Sequence, residues 1–357
     1  MTASRGERAA APMPNDILTR AIDEVCAGTH LTADHTSAAL KEIMEGRVSE
    51  VQIAAFLIGL RAKGETVPEL VGLARTMRSF AAEVEVDPEG LVDTAGTGGG
   101  PTTFNISTTA ALIAAGAGCR VAKHGNRSAT SRCGSADLLE ALGVRIELDP
   151  AAVATCIDEF GFGFMFAPKH HKATAHVVPV RKELAVRTIF NFLGPLTNPA
   201  GARRQLLGVS DRAYQETIAE ALVSLGAEHA MVVSADDGMD ELSIASRTRV
   251  VEVADGGTEE WFVEAEDLDL EPAGLDAIAG GEPAENASVA RAVLDGDPGA
   301  AREVSLLNAG SAVYVGGGAV NLGDGVRQAR EAIDSGAART VLDRLVERSA
   351  ELAPQAS

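Results

Sequence analysis

The chain contains few aromatic residues and few cysteines, which limits how its core can be built and which cross-links it can form. Aromatic residues make up 4% of the 357 residues, so the core must be built mainly from Ala, Val, Leu and Ile. The four cysteines lie far apart and form no CxxC pair: Cys26, Cys119, Cys133 and Cys156. This spacing argues against a structural zinc site and a disulfide framework, and it favours a reduced, cytoplasmic environment.

Basic residues are also scarce, and long apolar runs are absent from the sequence. The chain has 31 Lys and Arg against 51 Asp and Glu, a formal net charge of −20. Such a charge argues against a nucleic-acid backbone or an anionic membrane as partner. No apolar run approaches the length that spans a bilayer. Residues 1–14 lack the apolar core of a secretory signal and are predicted to form a disordered tail.

Hydrophobic spacing changes along the chain and predicts two kinds of domain. Residues 15–86 follow a helical period, and Thr32 is expected to cap a helix that carries Leu40 and Ile43. This segment is predicted to be a small helical domain, with residues 177–200 packing on it.

After Pro88, predicted strands alternate with helices. The strands are expected near residues 91–94, 120–122, 144–148, 205–209 and 230–233, and residues 250–265 are predicted to form a hairpin-like pair. This alternation is typical of a mainly parallel sheet covered by helices. The sequence therefore predicts an α/β fold in which residues 87–176 and 201–350 form the larger domain.

Two polar segments are candidates for binding phosphate. The strand at Leu91–Thr94 leads into the glycine-rich turn 96–100, whose N–H groups could converge on an anion, although a plain tight turn explains it equally well. Residues 123–131 (KHGNRSATS) combine Lys, Arg, hydroxyls and Gly, which suit a polyphosphate. An ordinary polar turn is the alternative for that loop.

Taken together, these segments resemble, in order and spacing, the signatures of the anthranilate phosphoribosyltransferase family. The resemblance covers nearly the whole chain after the N-terminal tail. It rests on DTAGTGG at 93–99, NIST at 105–108, KHGNRSATS at 123–131, RTIFN at 187–191, LGPLTNP at 193–199 and GMDE at 238–241.

The resemblance implies a substrate site for 5-phosphoribosyl 1-pyrophosphate (PRPP). The residues implied to hold it are Gly96, Gly99, Gly100, Thr103, Asn105, Ile106, Ser107, Thr108, Lys123, His124, Gly125, Asn126, Arg127, Ser128, Ala129, Thr130, Ser131 and Ser135. Lys123 would act electrostatically, and no general base is assigned, because the amine of anthranilate is already neutral at pH 7.

The same resemblance implies further ligands and a partner. Two Mg2+ ions per subunit would be held by Ser107, Asp240 and Glu241, since hard oxygen ligands suit this ion. Anthranilate would lie against Gly96, Asn126, His171 and Arg181, with Arg181 pairing its carboxylate. The family also implies a homodimer formed through the helical domain. The implied reaction gives N-(5-phosphoribosyl)anthranilate and pyrophosphate, a step of tryptophan biosynthesis.

The sequence departs from the family pattern at two places, and two other functions remain open. Gly100-Pro101 stands where the family has Asp, in a loop that is one residue shorter. Lys172-Ala173-Thr174 stands where the family commonly has Pro-Ala-Met. A related nucleoside phosphorylase is one alternative, although it would not need the Asp240-Glu241 pair. A non-catalytic, nucleic-acid-binding relative is the other, and the charge of −20 weighs against it.

Overall fold

The computed structural model describes residues 14–128 and 131–353. The predicted tail is therefore outside the described residues except for Pro14. The described chain opens with four helices: α1 (Asp16–Cys26), α2 (Ala33–Met44), α3 (Glu50–Lys63) and α4 (Val67–Ser79). The Thr32 hydroxyl accepts a hydrogen bond from the N–H of His35 at 3.2 Å, which confirms the predicted cap of α2.

The rest of the chain alternates between strands and helices around one sheet. Its strands are β1 (Leu91–Gly96), β2 (Arg120–Gly125), β3 (Phe162–Phe166), β4 (Arg204–Gly208), β5 (His229–Ala235), β6 (Thr248–Ala254) and β7 (Gly257–Val263). They are arranged in the order β3-β2-β1-β4-β5-β6-β7. The strands from β3 to β5 in this order pair in parallel, and β6 pairs antiparallel with both β5 and β7. This confirms the predicted mainly parallel sheet and the predicted hairpin.

Eleven further α-helices lie between and after these strands in the described chain. They are α5 (Ile106–Gly116), α6 (Ser135–Ala141), α7 (Pro150–Phe160), α8 (Ala167–His170), α9 (Val178–Leu184), α10 (Phe190–Leu193), α11 (Gln215–Ser224), α12 (Pro283–Leu294), α13 (Ala300–Val315), α14 (Leu322–Asp334) and α15 (Ala337–Leu352). In the parts of the chain that the structure describes, no helix is both long and apolar enough to cross a membrane.

The two faces of the sheet belong to different hydrophobic clusters. Leu206 and Met231 pack with residues of α5 and α13 on one face. Leu207 and Val232, which point the opposite way, pack with α11 and with the four N-terminal helices. Seven buried residues of the 177–200 segment join this second cluster: Val177, Val180, Ile189, Phe190, Phe192, Leu193 and Leu196. Because successive strand residues alternate in direction, burial of both faces requires almost continuous apolar strands.

The prediction of a strand at residues 144–148 is wrong. These residues alternate between buried and exposed, but they belong to no strand, and the N–H of Arg145 donates to Ser349 Oγ at 3.0 Å. The edge strand beside β2 is instead β3, in which all five residues are buried. The alternation of apolar residues at 144–148 correctly indicated which side chains are buried. It could not show whether the segment pairs with a neighbouring strand, and that pairing is what defines a strand.

The chain order of the strands creates a cleft at one edge of the sheet. From β1 the chain proceeds to β2 and β3 on one side, and it then crosses to β4 and β5 on the other. Gly96 and Gly208 are register partners at the carboxyl ends of β1 and β4, where this reversal occurs. Ligands of open α/β sheets bind outside such a switch point.

Candidate active site

The glycine-rich turn after β1 packs closely against the acidic loop after β5. The N–H of Gly98 donates to Asp240 Oδ2 at 2.7 Å. A Cβ atom at Gly96 would lie 2.5 Å from the same oxygen, and one at Gly208 would lie 1.5 Å from the Asp240 carbonyl oxygen. Position 208 therefore requires glycine, because a side chain there would collide with the Asp240 backbone, whereas a side chain at position 96 would displace the Asp240 carboxylate.

Asp240 and Glu241 form a pair of half-buried carboxylates in this cleft. Burial raises the pKa of Asp240, although the Gly98 N–H counteracts it. Burial and the neighbouring Asp240 raise the pKa of Glu241 well above its ordinary value, and Lys123 opposes this rise. Burial and repulsion thus destabilise the two negative charges. A divalent cation bound between the carboxylates would offset both effects.

Lys123 lies beside these carboxylates and is almost fully buried. Its Nζ donates to the Thr94 carbonyl oxygen at 2.5 Å and to Thr94 Oγ1 at 3.1 Å. Ser107 Oγ is 3.5 Å from the same nitrogen. Burial lowers the pKa of Lys123 to about 8, while Asp93 and Glu241 act in the opposite direction.

A small cavity lies beside the two carboxylates and Ser107. It is lined by Thr94, Ala95, Ser107, Leu206, Gly208, Val233, Asp240, Glu241 and Asn308. Within residues 14–128 and 131–353, no group of three or more His, Cys, Asp or Glu side chains is placed to hold a metal ion. A cation here would therefore depend on the two carboxylates, the Ser107 hydroxyl and oxygens of the substrate.

The predicted residues at the start of α5 divide into two groups. Ser107 faces Lys123, whereas the side chains of Ile106 and Thr108 are fully buried, so Ile106 can offer a ligand only its backbone. The Asn105 amide donates to the Cys133 carbonyl and accepts from Asn286, which holds it within the protein. The backbone of Thr103 bridges to Ala279.

Arg127, which the family resemblance places in the PRPP-binding loop, pairs with two carboxylates in the structure. Its guanidinium pairs with Asp137 at 2.8 Å and with Glu140 at 2.9 Å, both on α6, and it lies over the ring of Phe166. These carboxylates raise its pKa. Its charge is compensated by a neighbouring helix that the sequence pattern did not connect to it.

The remaining loop residues stay near one another. The Ser135 hydroxyl donates to the Asn126 carbonyl at 3.1 Å, and Ser128 and Ser131 place their hydroxyl oxygens 2.6 Å apart. A Cβ at Gly125 would meet Ser135 Oγ at 2.3 Å. Ala129 and Thr130 lie outside the described residues.

His124 and His171 form a second, less polar part of the site. Their rings are 5.0 Å apart, and His124 Nδ1 lies 3.1 Å from the Gly194 carbonyl oxygen, to which it must donate. Burial lowers the pKa of His124 to about 3 and that of His171 to about 4. Both imidazoles are consequently neutral at pH 7.

Arg181 lies on α9 and is half-buried over the ring of Phe190. Burial lowers its pKa. No carboxylate in the described chain comes within ion-pair distance of its guanidinium. A half-buried arginine without an anionic partner is suited to receive the carboxylate of a ligand.

The two departures from the family pattern occupy different places. Gly100 packs on the acidic loop, and a Cβ there would lie 2.7 Å from the Gly238 carbonyl oxygen. Substitution alone therefore cannot restore an Asp at this position. Ala173 and Thr174 line an apolar gap together with Met44, Met77, Phe80 and His171.

Arg187 holds the glycine-rich turn in place, a role that the sequence did not predict for any residue. Its Nη1 donates to the Gly98 carbonyl at 2.8 Å, and its own carbonyl accepts from Arg61 Nη1 at 2.6 Å. It thereby connects α3 to the glycine-rich turn. The RTIFN motif marked the position, but only the folded chain brings residues 61, 98 and 187 together.

Comparison with known proteins assigns this architecture to a class. Residues 88–339 match the model "Glycosyl transferase family, a/b domain", and residues 19–81 match "Glycosyl transferase family, helical bundle domain". The sheet with its helical unit, and the glycine-rich turn at its switch point, are thus those of a glycosyl transferase.

Individual relatives narrow the assignment. The anthranilate phosphoribosyltransferase of Rubrobacter xylanophilus is 52% identical over 339 residues, covering 94% of this chain and 99% of that protein. The crystal structure of the Thermus thermophilus enzyme of that name matches with a TM-score of 0.88 and 44% identity, over 92% of this chain and 99% of that one. The Saccharomyces cerevisiae enzyme in complex with PRPP and Mg matches with a TM-score of 0.87 and 26% identity, over 96% and 100%. The chain belongs to the anthranilate phosphoribosyltransferase family, which confirms the resemblance in its motifs.

Proposed function

We propose that this protein transfers the phosphoribosyl group of PRPP to the amine of anthranilate, giving N-(5-phosphoribosyl)anthranilate and pyrophosphate in tryptophan biosynthesis. The observation that carries the proposal is the Asp240-Glu241 pair facing Lys123 beneath the glycine-rich turn. A nucleoside phosphorylase, which uses inorganic phosphate, has no need of these carboxylates. The acidic chain likewise gives no support to nucleic-acid binding.

In the proposed reaction the C1–O bond to pyrophosphate breaks and a C1–N bond to anthranilate forms. Ser107, Asp240 and Glu241 would hold two Mg2+ ions per subunit, as expected from the family. Bound Mg2+ supplies positive charge that polarises the leaving pyrophosphate. The Lys123 ammonium stabilises the negative charge that develops there. The amine loses its proton to solvent after attack, so no strong base is required.

The second substrate fits the less polar end of the cleft. Neutral His124 and His171 provide ring surfaces, and Arg181 provides an uncompensated cation for the carboxylate of anthranilate. Gly96 and Asn126 are proposed to line the passage between the two substrates. Holding the amine near C1 would supply much of the remaining rate enhancement.

Loss of anthranilate fluorescence tests the proposed reaction. The protein is incubated with PRPP, Mg2+ and anthranilate, and each component is omitted in turn. We expect fluorescence to decay only in the complete mixture, with release of one pyrophosphate per anthranilate consumed. Binding of PRPP and Mg2+ without turnover of anthranilate would point to a different acceptor.

The Arg181→Ala variant should bind anthranilate more weakly while it binds PRPP almost normally. A hydrogen bond to a charged group contributes roughly 1.5–3 kcal/mol, so the anthranilate affinity should fall by about ten- to a hundredfold. Separate titration of each substrate measures both effects. Lys182→Ala, which removes a neighbouring exposed charge, is the control. Equal weakening of both substrates would mean that Arg181 acts structurally or at the phosphate end.

The protein is further proposed to be a cytoplasmic homodimer that pairs through α3. This helix buries Ile53, Phe56 and Leu57, yet it also exposes Val51 (77%) and Ile58 (38%) on its opposite side. We propose these two exposed apolar side chains as part of the dimer contact. All four cysteines are unpaired, which supports a reducing compartment. The proposed domain limits remain 15–86 with 177–200, and 87–176 with 201–350.

Ile58→Glu should convert the dimer into a monomer, because it places a charge in the centre of the proposed apolar contact. Sedimentation velocity at several protein concentrations measures the change. Val320→Glu, at a residue that is 84% exposed outside α3, is the control and should leave the mass unchanged. A monomeric parent protein, or a dimer that survives Ile58→Glu, would exclude this interface.

A further inference from the structure

Asn308, in the middle of α13, binds the backbone next to the acidic pair. Its side chain is 1% exposed. Its Nδ2 donates to the Leu242 carbonyl at 2.9 Å, and its Oδ1 accepts from the Leu242 N–H at 3.0 Å. The second Nδ2 hydrogen is used by the Val304 carbonyl at 2.9 Å. The side-chain amide thus satisfies both backbone groups of the residue that directly follows Glu241.

The other end of the acidic loop has its own anchor. Asp237 accepts from Ser243 Oγ at 2.6 Å and from the N–H of Met239 at 3.1 Å. The Asn308 side-chain amide thereby links Leu242 to α13 through two hydrogen bonds. The contacts of Asp237 stay within the acidic loop, whereas those of Asn308 connect the loop to the long buried helix α13.

The acidic loop needs such an anchor because its two carboxylates repel each other. Both are half-buried, where screening by water is weak. The Gly98 N–H and the Arg187 charge compensate Asp240 in part, and the Lys123 ammonium compensates Glu241 in part. Without a fixed backbone, the pair could lower its repulsion by swinging toward solvent, and it would then no longer converge on a cation.

We propose that Asn308 is a positioning residue that holds Asp240 and Glu241 in a cation-binding arrangement by clamping the Leu242 peptide. It touches no reacting atom in this role and acts through the loop backbone. The inference rests on the proposed function, because it assumes that the two carboxylates hold Mg2+. Second-layer contacts of this kind change metal affinity by about ten- to a hundredfold when they are removed.

The test compares Asn308→Leu with Ser311→Ala. Ser311 lies on the same helix, is fully buried and donates to the Leu307 carbonyl, so its loss reports general damage to α13. Hydrogen exchange of the Leu242 amide is measured without ligands, and Mg2+ is titrated in the presence of PRPP by calorimetry and by activity. We expect faster exchange and about tenfold or greater weakening of Mg2+ binding in Asn308→Leu only. At saturating Mg2+ its turnover should recover to within about threefold of the parent, since the chemistry is untouched.

Asn308→Ser is the second variant, for use if Asn308→Leu does not fold. Its side chain is polar but too short to bond both the N–H and the carbonyl of Leu242. Unchanged Leu242 exchange and Mg2+ affinity in a folded variant would overturn the inference. Equal changes in Ser311→Ala would do so too, since they would reveal a general effect of the helix. A parent enzyme that turns over without Mg2+ would instead refute the proposed function, and the two failures are thereby distinguished.

Discussion

Replacing Asp240 with Asn and Glu241 with Gln together should lower turnover by about a hundredfold or more at saturating substrates. This is the order of the loss when one strong transition-state contact is removed. Both substitutions keep the size of the side chains but remove the charge that would hold Mg2+ against the pyrophosphate. Initial rates of anthranilate consumption, measured over a range of Mg2+ concentrations, give the effect.

Asp236→Asn is the matched control for this double variant. Asp236 lies in the same loop but is exposed and pairs with Arg212 at 2.7 Å. Its replacement removes a carboxylate without entering the cleft, so we expect a rate close to that of the parent. If the double variant also retains near-normal turnover, Asp240 and Glu241 do not hold a catalytic metal.

Lys123→Met should reduce kcat/KM for PRPP by about a hundredfold or more, because it removes a preorganised cation from a site with little water. The pH dependence provides an independent readout. Burial lowers the pKa of Lys123 to about 8, so the free enzyme loses this positive charge as the pH rises through that value. We therefore expect kcat/KM for PRPP in the parent to fall above pH 8.

In Lys123→Met the decline above pH 8 should vanish, since the titrating group is gone, while the residual rate stays low across the range. Lys169→Met is the control, because Lys169 is partly exposed and pairs with Glu147. It should leave both the rate and the alkaline limb intact. A parent profile that stays flat to pH 10, or a Met variant that keeps the same limb, would contradict the role assigned to Lys123.

Local patterns in the sequence were sufficient for much of the fold. The cap at Thr32, the strand that enters the glycine-rich turn and the hairpin of β6 and β7 all depend on residues close together in the chain. In the hairpin, Asp255 and Gly256 both adopt positive φ, as a two-residue turn of this kind requires. These features are decided by backbone preference and by spacing, which a sequence displays directly.

Other expectations failed or were missed because they depend on distant partners. Residues 144–148 have the alternation of a strand, but the place beside β2 is taken by β3. The pairing of Arg127 with Asp137 and Glu140 could not be read from the loop motif either, because the motif does not show which residues of α6 lie beside it. The contact between Arg187 and Gly98 crosses 89 positions of the chain, and that between Asn308 and Leu242 crosses 66.

The sequence alone determined the class of fold, the family and the order of the polar motifs, because composition, periodicity and short motifs are local properties of the chain. The tertiary structure decided which of those polar groups remain uncompensated. Asp240, Glu241 and Arg181 lie half-buried with little opposite charge, whereas Arg127 is neutralised by a helix. Desolvation and ion pairing arise only when distant segments of the chain come together. They determine whether a charged side chain can bind a ligand or is already paired within the protein.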